Sequence, residues 1–119
     1  MFERVGDAGL VDVITATARA SAASDARKYA AIAELQRRRN TGEHAHSACD
    51  DTDATAAEIA AALNIGHGRA LGEIDLALAL RDRLPQVAAL FAAGAVNGRR
   101  VWLIDQRTRL VTDPEALTA

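Results

Sequence analysis

Apolar side chains recur at i, i+3, i+4 and i+7 along most of the chain, the period of an α-helix with one buried face. Leu10, Val11 and Ile14 open a first stripe, Ala18 and Ala22 continue it with small side chains, and Tyr29, Ile32 and Leu35 carry it past the polar run 24–28. One long helix over about 8–39 is predicted, with Glu34 and Arg38 in the favourable i, i+4 orientation and Arg37, Arg38 and Arg39 at the negative end of its dipole. Residues 40–53, NTGEHAHSACDDTD, carry no period and predict a polar loop.

The best-defined pattern lies in TAAEIAAALNIGHGRALG, residues 55–72. Thr55 and Glu58 have capping-box spacing, and Ile59, Ala62 and Leu63 form a stripe, so a helix is predicted over 55–64. Asn64, Gly66 and Gly68 break it, being residues that reach backbone conformations a helix does not use. Leu71, Ile74 and Leu78 resume the period over 68–83, with Leu76, Leu80 and Leu84 on a second side. A helix apolar on two sides belongs at the centre of a bundle or in a subunit contact. The layout is that of a helix-turn-helix, whose second helix can enter the DNA major groove, and equally that of plain helical packing.

Pro85 suits the first turn of a helix over 86–93 with Val87, Leu90 and Phe91 as its buried face, and Gly94 ends it. Asn97 caps a helix over 98–109 with Val101 and Ile104 inward and Trp102 either packed or at an interface. Asp113-Pro114-Glu115 reads as a further helix start with few residues after it. The predicted fold is all-α: a helical bundle in one domain, with a long N-terminal helix and a helix-turn-helix-like hairpin, completed by self-association.

Composition sharpens this picture. Of the 119 residues 50% are hydrophobic but only 3% aromatic, and alanine supplies much of the hydrophobic share. Alanine favours helix but contributes only about one methyl of burial each, so the core rests on Leu, Ile and Val, and a second subunit would help it. A net charge of −2 argues against a strongly basic nucleic-acid binder without excluding a local basic patch. One cysteine, no signal-peptide pattern and no apolar run long enough to span a bilayer lead us to expect a cytoplasmic protein with no membrane contact.

Candidate chemistry is sparse. His44, His46 and Cys49, followed by Asp50, Asp51 and Asp53, form the one ligand-like cluster. A structural zinc site needs four ligands in paired spacings, which this loop lacks, so no metal or other cofactor is expected. A Cys–His nucleophile lacks an orienting group, and no catalytic residue or small-molecule substrate is evident. Arg99, Arg100, Arg107 and Arg109 make 99–109 the most basic stretch, for which a solvated face is the preferred reading. In the helix after the turn, Glu73 and Asp75 stand where a DNA-reading helix would carry Arg, Asn or Gln, which counts against base readout.

The stretches DDTDATAAEIAAALNIGHGRA, ALRDRLPQVAALFAAGAVNGRRV and RTRLVTDPEAL are similar to the actinobacterial 13E12 repeat family, whose shared region is domain of unknown function 222. The resemblance implies a mobile-element or DNA-processing setting, because typical members continue into a C-terminal HNH endonuclease domain. An HNH site needs two histidines and an asparagine on a ββα element. That module is absent from the chain, which is expected to be a truncated member or the N-terminal part of a longer protein, and not itself an enzyme.

Two functions follow as expectations. In the first, a non-catalytic module of an HNH-nuclease-type protein contributes DNA binding or substrate positioning, with His67 and Arg69 approaching DNA and Arg99 and Arg100 contacting phosphates. In the second, it is a protein–protein, dimerisation or regulatory domain with no direct DNA contact. A homodimer suits both.

Overall fold

Among the residues that the computed structural model describes (1–41 and 48–111, the side chains of 48–51 left aside), five helices follow one another without a strand. They are α1 (Asp7–Thr41), α2 (Ala48–Leu63), α3 (His67–Asp82), α4 (Pro85–Ala92) and α5 (Gly98–Thr108). The fold is therefore all-α, as the periodicity predicts. His44, His46 and the segment Asp113-Pro114-Glu115 lie outside the described residues, as does the side chain of Cys49.

α1 is the spine. Its 35 residues span roughly 52 Å at 1.5 Å per residue, most of the molecule's longest extent of 59 Å. Its last turns are tied by Glu34, which accepts from Arg37 Nη2 at 2.6 Å and Arg38 Nε at 3.1 Å. Those two guanidinium groups hold the Glu34 carboxyl down at about 2. A depressed carboxylate stabilises the fold above its ordinary pKa of 4.5, and that contribution is lost as pH falls towards 2. An NMR titration following the Glu34 carboxyl carbon should find its midpoint well below 4; a midpoint near 4.5 would mean that the ion pairs are not populated.

α1 and α3 each pack against all the other helices, so α3 occupies the centre. This accounts for its two apolar sides: Ala70, Ile74, Leu76, Ala77 and Leu80 are all buried. They join Ala22, Tyr29, Ile32 and Ala33 of α1, Ala56 and Ile59 of α2, Phe91 of α4 and Val101 of α5 in one core. Tyr29 and Phe91 are its aromatic pair, their ring centroids 6.0 Å apart.

Several expectations fail, each for a physical reason. α2 begins at Ala48, so the predicted loop ends earlier than residue 53 and Thr55 is not a cap. Thr55 is fully buried inside the helix, Gln36 Nε2 donates to Thr52 Oγ1 at 3.0 Å, and Glu58 pairs with Arg39 at 2.8 Å. Packing against α1 thus holds turns that local capping signals would have left as loop. At the α2–α3 turn only Asn64 takes a positive φ, 56°, while Ile65 N–H donates to the Ala60 carbonyl in the six-to-one bond of a Schellman cap. Gly66, with φ −72°, only caps α3, and Gly68 lies inside it, so neither glycine supplies the left-handed step.

The stripe at the start of α1 is uncovered: Val11 is 59% and Ile14 67% exposed. Leu90, expected inward, is 49% exposed, because the short α4 turns its neighbour Phe91 into the core instead. Trp102 is 51% exposed.

Gly94 closes α4 as expected. Its φ is +77°, Ala95 N–H donates to the Leu90 carbonyl, and a Cβ built there would lie 2.7 Å from the Arg19 carbonyl oxygen. Gly94→Ala should therefore cost at least ~1–2 kcal/mol in backbone strain alone, with the clash added. Urea unfolding would measure it, and a loss below that range would mean that the turn moves off α1 freely. Asn97 accepts from Arg100 N–H at 2.8 Å and caps α5.

Candidate functional site

α3 and α5 bring the candidate residues towards one end of the bundle without gathering them into a single site. His67 opens α3, and its Nε2 lies 3.4 Å from Asp53 Oδ1 of α2, so its ring is directed along the hairpin. Arg69, two residues further on, is exposed and lines a cleft of about 310 Å³ together with Tyr29, Glu73, Gly98 and Trp102. Gly98 precedes Arg99 and Arg100, so the cleft places the start of α5 beside Arg69. Arg69, Arg99 and Arg100 have no ion pair among the described residues. His67, tied to Asp53, does not join them.

Beside the cleft, the Glu73 carboxylate has a cationic neighbour. Lys28 Nζ stands 3.6 Å from Glu73 Oε2 and 4.8 Å from the centre of the Tyr29 ring. Burial, reinforced by the neighbouring Glu73 carboxylate, pushes the Tyr29 hydroxyl well above its ordinary range, so it stays protonated at neutral pH. The Tyr29 hydroxyl is therefore not poised as a base or nucleophile. The half-exposed Trp102 indole and the Arg69 guanidinium offer one flat apolar face and one cation.

A second concavity of about 480 Å³ runs between α1, α3 and α4. Alanines from all three helices line it, with Leu80 and Pro85, and Glu34 and Arg81 stand at its rim. It offers apolar surface and no convergent polar groups.

The buried carboxylate among the described residues lies elsewhere, and the sequence did not reveal it. Asp105 of α5 is 1% exposed. Its Oδ1 accepts from Arg83 Nη2 and its Oδ2 from Arg109 Nη2 at 3.0 Å. Arg83 Nη1 also donates to the Thr108 carbonyl at 2.8 Å and to its hydroxyl at 2.9 Å. This node locks the end of α3 to the last turns of α5. Its signal was a carboxylate at i+4 from inward Val101, on the apolar face of α5. Arg109 is thereby engaged in structure, which shortens the free basic run to Arg99, Arg100 and Arg107.

Among the described residues no group of three or more His, Cys, Asp or Glu could hold a metal ion, and no helix is long and apolar enough to cross a membrane.

Comparison with known proteins adds the following. The family model described as "Domain of unknown function (DUF222)" matches residues 16–119. Three relatives from Mycobacterium tuberculosis are similar. "Uncharacterized protein Rv2100" is 52% identical over 116 residues, covering 97% of this chain and 21% of the relative. "Uncharacterized protein Rv3776" is 51% identical over 113 residues, covering 94% and 22%. "Uncharacterized protein in est 3'region" is 51% identical over 113 residues, covering 94% and 32%. The chain thus spans between a fifth and a third of the length of these relatives. No solved structure matches.

Proposed function

This chain belongs to the DUF222 family, and from that premise we propose that it is a non-catalytic helical association module, working through a protein surface at the start of α1. One observation carries this reading: Val11 and Ile14 stand exposed on a helix that is packed into the core from Ala22 to Gln36. Two exposed β-branched residues one turn apart on one helix face suit a partner surface better than a solvent surface. The resemblance to 13E12 repeat proteins supplies a setting in which the module would organise a longer, DNA-processing protein that carries an HNH domain.

Amide hydrogen exchange tests it. The arm formed by residues 7–20 should exchange fast at low concentration and slow when more chain, or a longer mycobacterial relative, is added. Exchange in the arm that neither addition changes would overturn the reading.

A second reading, DNA contact, is favoured by the exposed Arg69, Arg99 and Arg100 around the start of α5, which have no ion pair among the described residues. Binding by phosphate neutralisation weakens by about 0.9 log units per contact for each tenfold rise in salt. Arg99→Ala and Arg100→Ala should each lower the salt slope of duplex binding by about one, as read by fluorescence anisotropy. An unchanged slope, or no association at low ionic strength, removes this reading.

A further inference from the structure

We propose that the partner of the α1 arm is a second copy of this chain, with the two arms laid antiparallel on one another. The inference rests on the association reading above and names its occupant.

The exposed residues continue an interface that the fold already uses. Val11 and Ala18 stand in the seven-residue row that runs through Asp25 to buried Ile32. Ile14 stands in the row that leads to Leu35, which packs against the core. A straight helix drifts ~20° per heptad, so over the span from Val11 to Ile32 the rows shift by roughly 60°, within an apolar stripe ~100° wide. The face that α3, α4 and α5 cover on the second half of α1 is therefore the face left open on the first half.

Direction follows from the same packing. The α4–α5 turn closes on α1 at Arg19, and Ala22 is already buried. A second α1 laid parallel on the arm would run on into the helices of the first copy. Laid antiparallel, its packed half leads away from them. The charges suit this arrangement: Asp12 and Arg19 are both exposed, lie seven residues apart on one flank of the stripe, and have no ion pair among the described residues. Antiparallel helices set the same flank of each copy face to face, so Asp12 of one copy approaches the second copy's Arg19. Small side chains at Thr15 and Ala18 let the helices come close. The arm is about 21 Å long, which limits the buried area to the low end of specific interfaces, ~1,200 Å² or less, so the dimer exchanges with monomer.

Sedimentation velocity from micromolar to millimolar concentration should show the mass rising from 12.6 kDa towards twice that value. Val11→Glu with Ile14→Glu, at exposed sites, should hold the chain monomeric throughout while its helical circular dichroism is unchanged. Orientation is read by spin labels in a Cys49→Ser background. Chains labelled at Ala8→Cys mixed with chains labelled at Ala20→Cys should give a short distance between copies, and chains labelled at Ala8→Cys alone a longer one. A monomer at every concentration, a dimer indifferent to the double substitution, or labels at Ala8→Cys close to each other would each overturn the proposal. If the chain stays monomeric but its arm is protected by a longer relative, self-pairing fails and the association reading stands.

Discussion

Asp105→Ala is expected to lower the unfolding free energy by about 3–5 kcal/mol, the usual cost of removing one partner from a buried ion pair. The carboxylate is almost fully enclosed, and its loss leaves the Arg83 guanidinium, itself only partly exposed, beside Thr108 with no counter-charge. Arg109→Ala should behave differently. Its side chain is about half in water, so that change should cost no more than ~1 kcal/mol, although it touches the same carboxylate. The contrast between the two variants is the test. Equal losses in urea unfolding would mean that Asp105 is held by α5 alone and that Arg83 does not lock α3 to it. Because the node joins α3 to α5, Asp105→Ala should also speed hydrogen exchange in α5 more than in α2.

Phe91→Ala is the other large effect, about 3–5 kcal/mol. Phe91 is fully buried, stacks obliquely on Tyr29 and is the one buried residue of the eight in α4. A chain with so few aromatic side chains has little else to fill the space, since the alanines around the groove between α1, α3 and α4 have no length with which to collapse into it. Thermal unfolding should show the loss as a lowered midpoint, with α4 and its Gly94 turn loosened first. Leu90→Ala, one position away and half exposed, should cost much less. If the two changes cost the same, the outward placement of Leu90 is wrong.

Both residues bear on how far the sequence alone could lead. Phe91 was legible because helical spacing from Pro85 sets it among Val87 and Leu90; which of the three faces the core was not, because a helix of two turns can roll and its neighbours decide the angle. Asp105 was hidden for a related reason. It stands four residues after inward Val101, but a carboxylate there makes sense only once Arg83, far away in sequence, is known to arrive beside it. The candidate cations met the same limit. Their exposure could be anticipated from their type, whereas the approach of Arg69 to the start of α5 and the engagement of Arg109 by Asp105 depend on how α3 and α5 cross.

Period, caps and breakers are local properties, and by themselves they determined the all-α class, the long first helix, the hairpin turn near Asn64, the Gly94 stop and the Asn97 cap. The two apolar sides of α3 marked it as central or as a subunit contact, and the packing of every other helix against it decided for the centre. Tertiary structure alone decided where apolar faces are covered. It extended α2 back to Ala48 by tying Thr52 to α1 and burying Thr55, and it left Val11 and Ile14 bare on a stripe whose other end is core. A helix carries its pattern along its whole length, but burial needs a second surface, and only topology says where that surface stops.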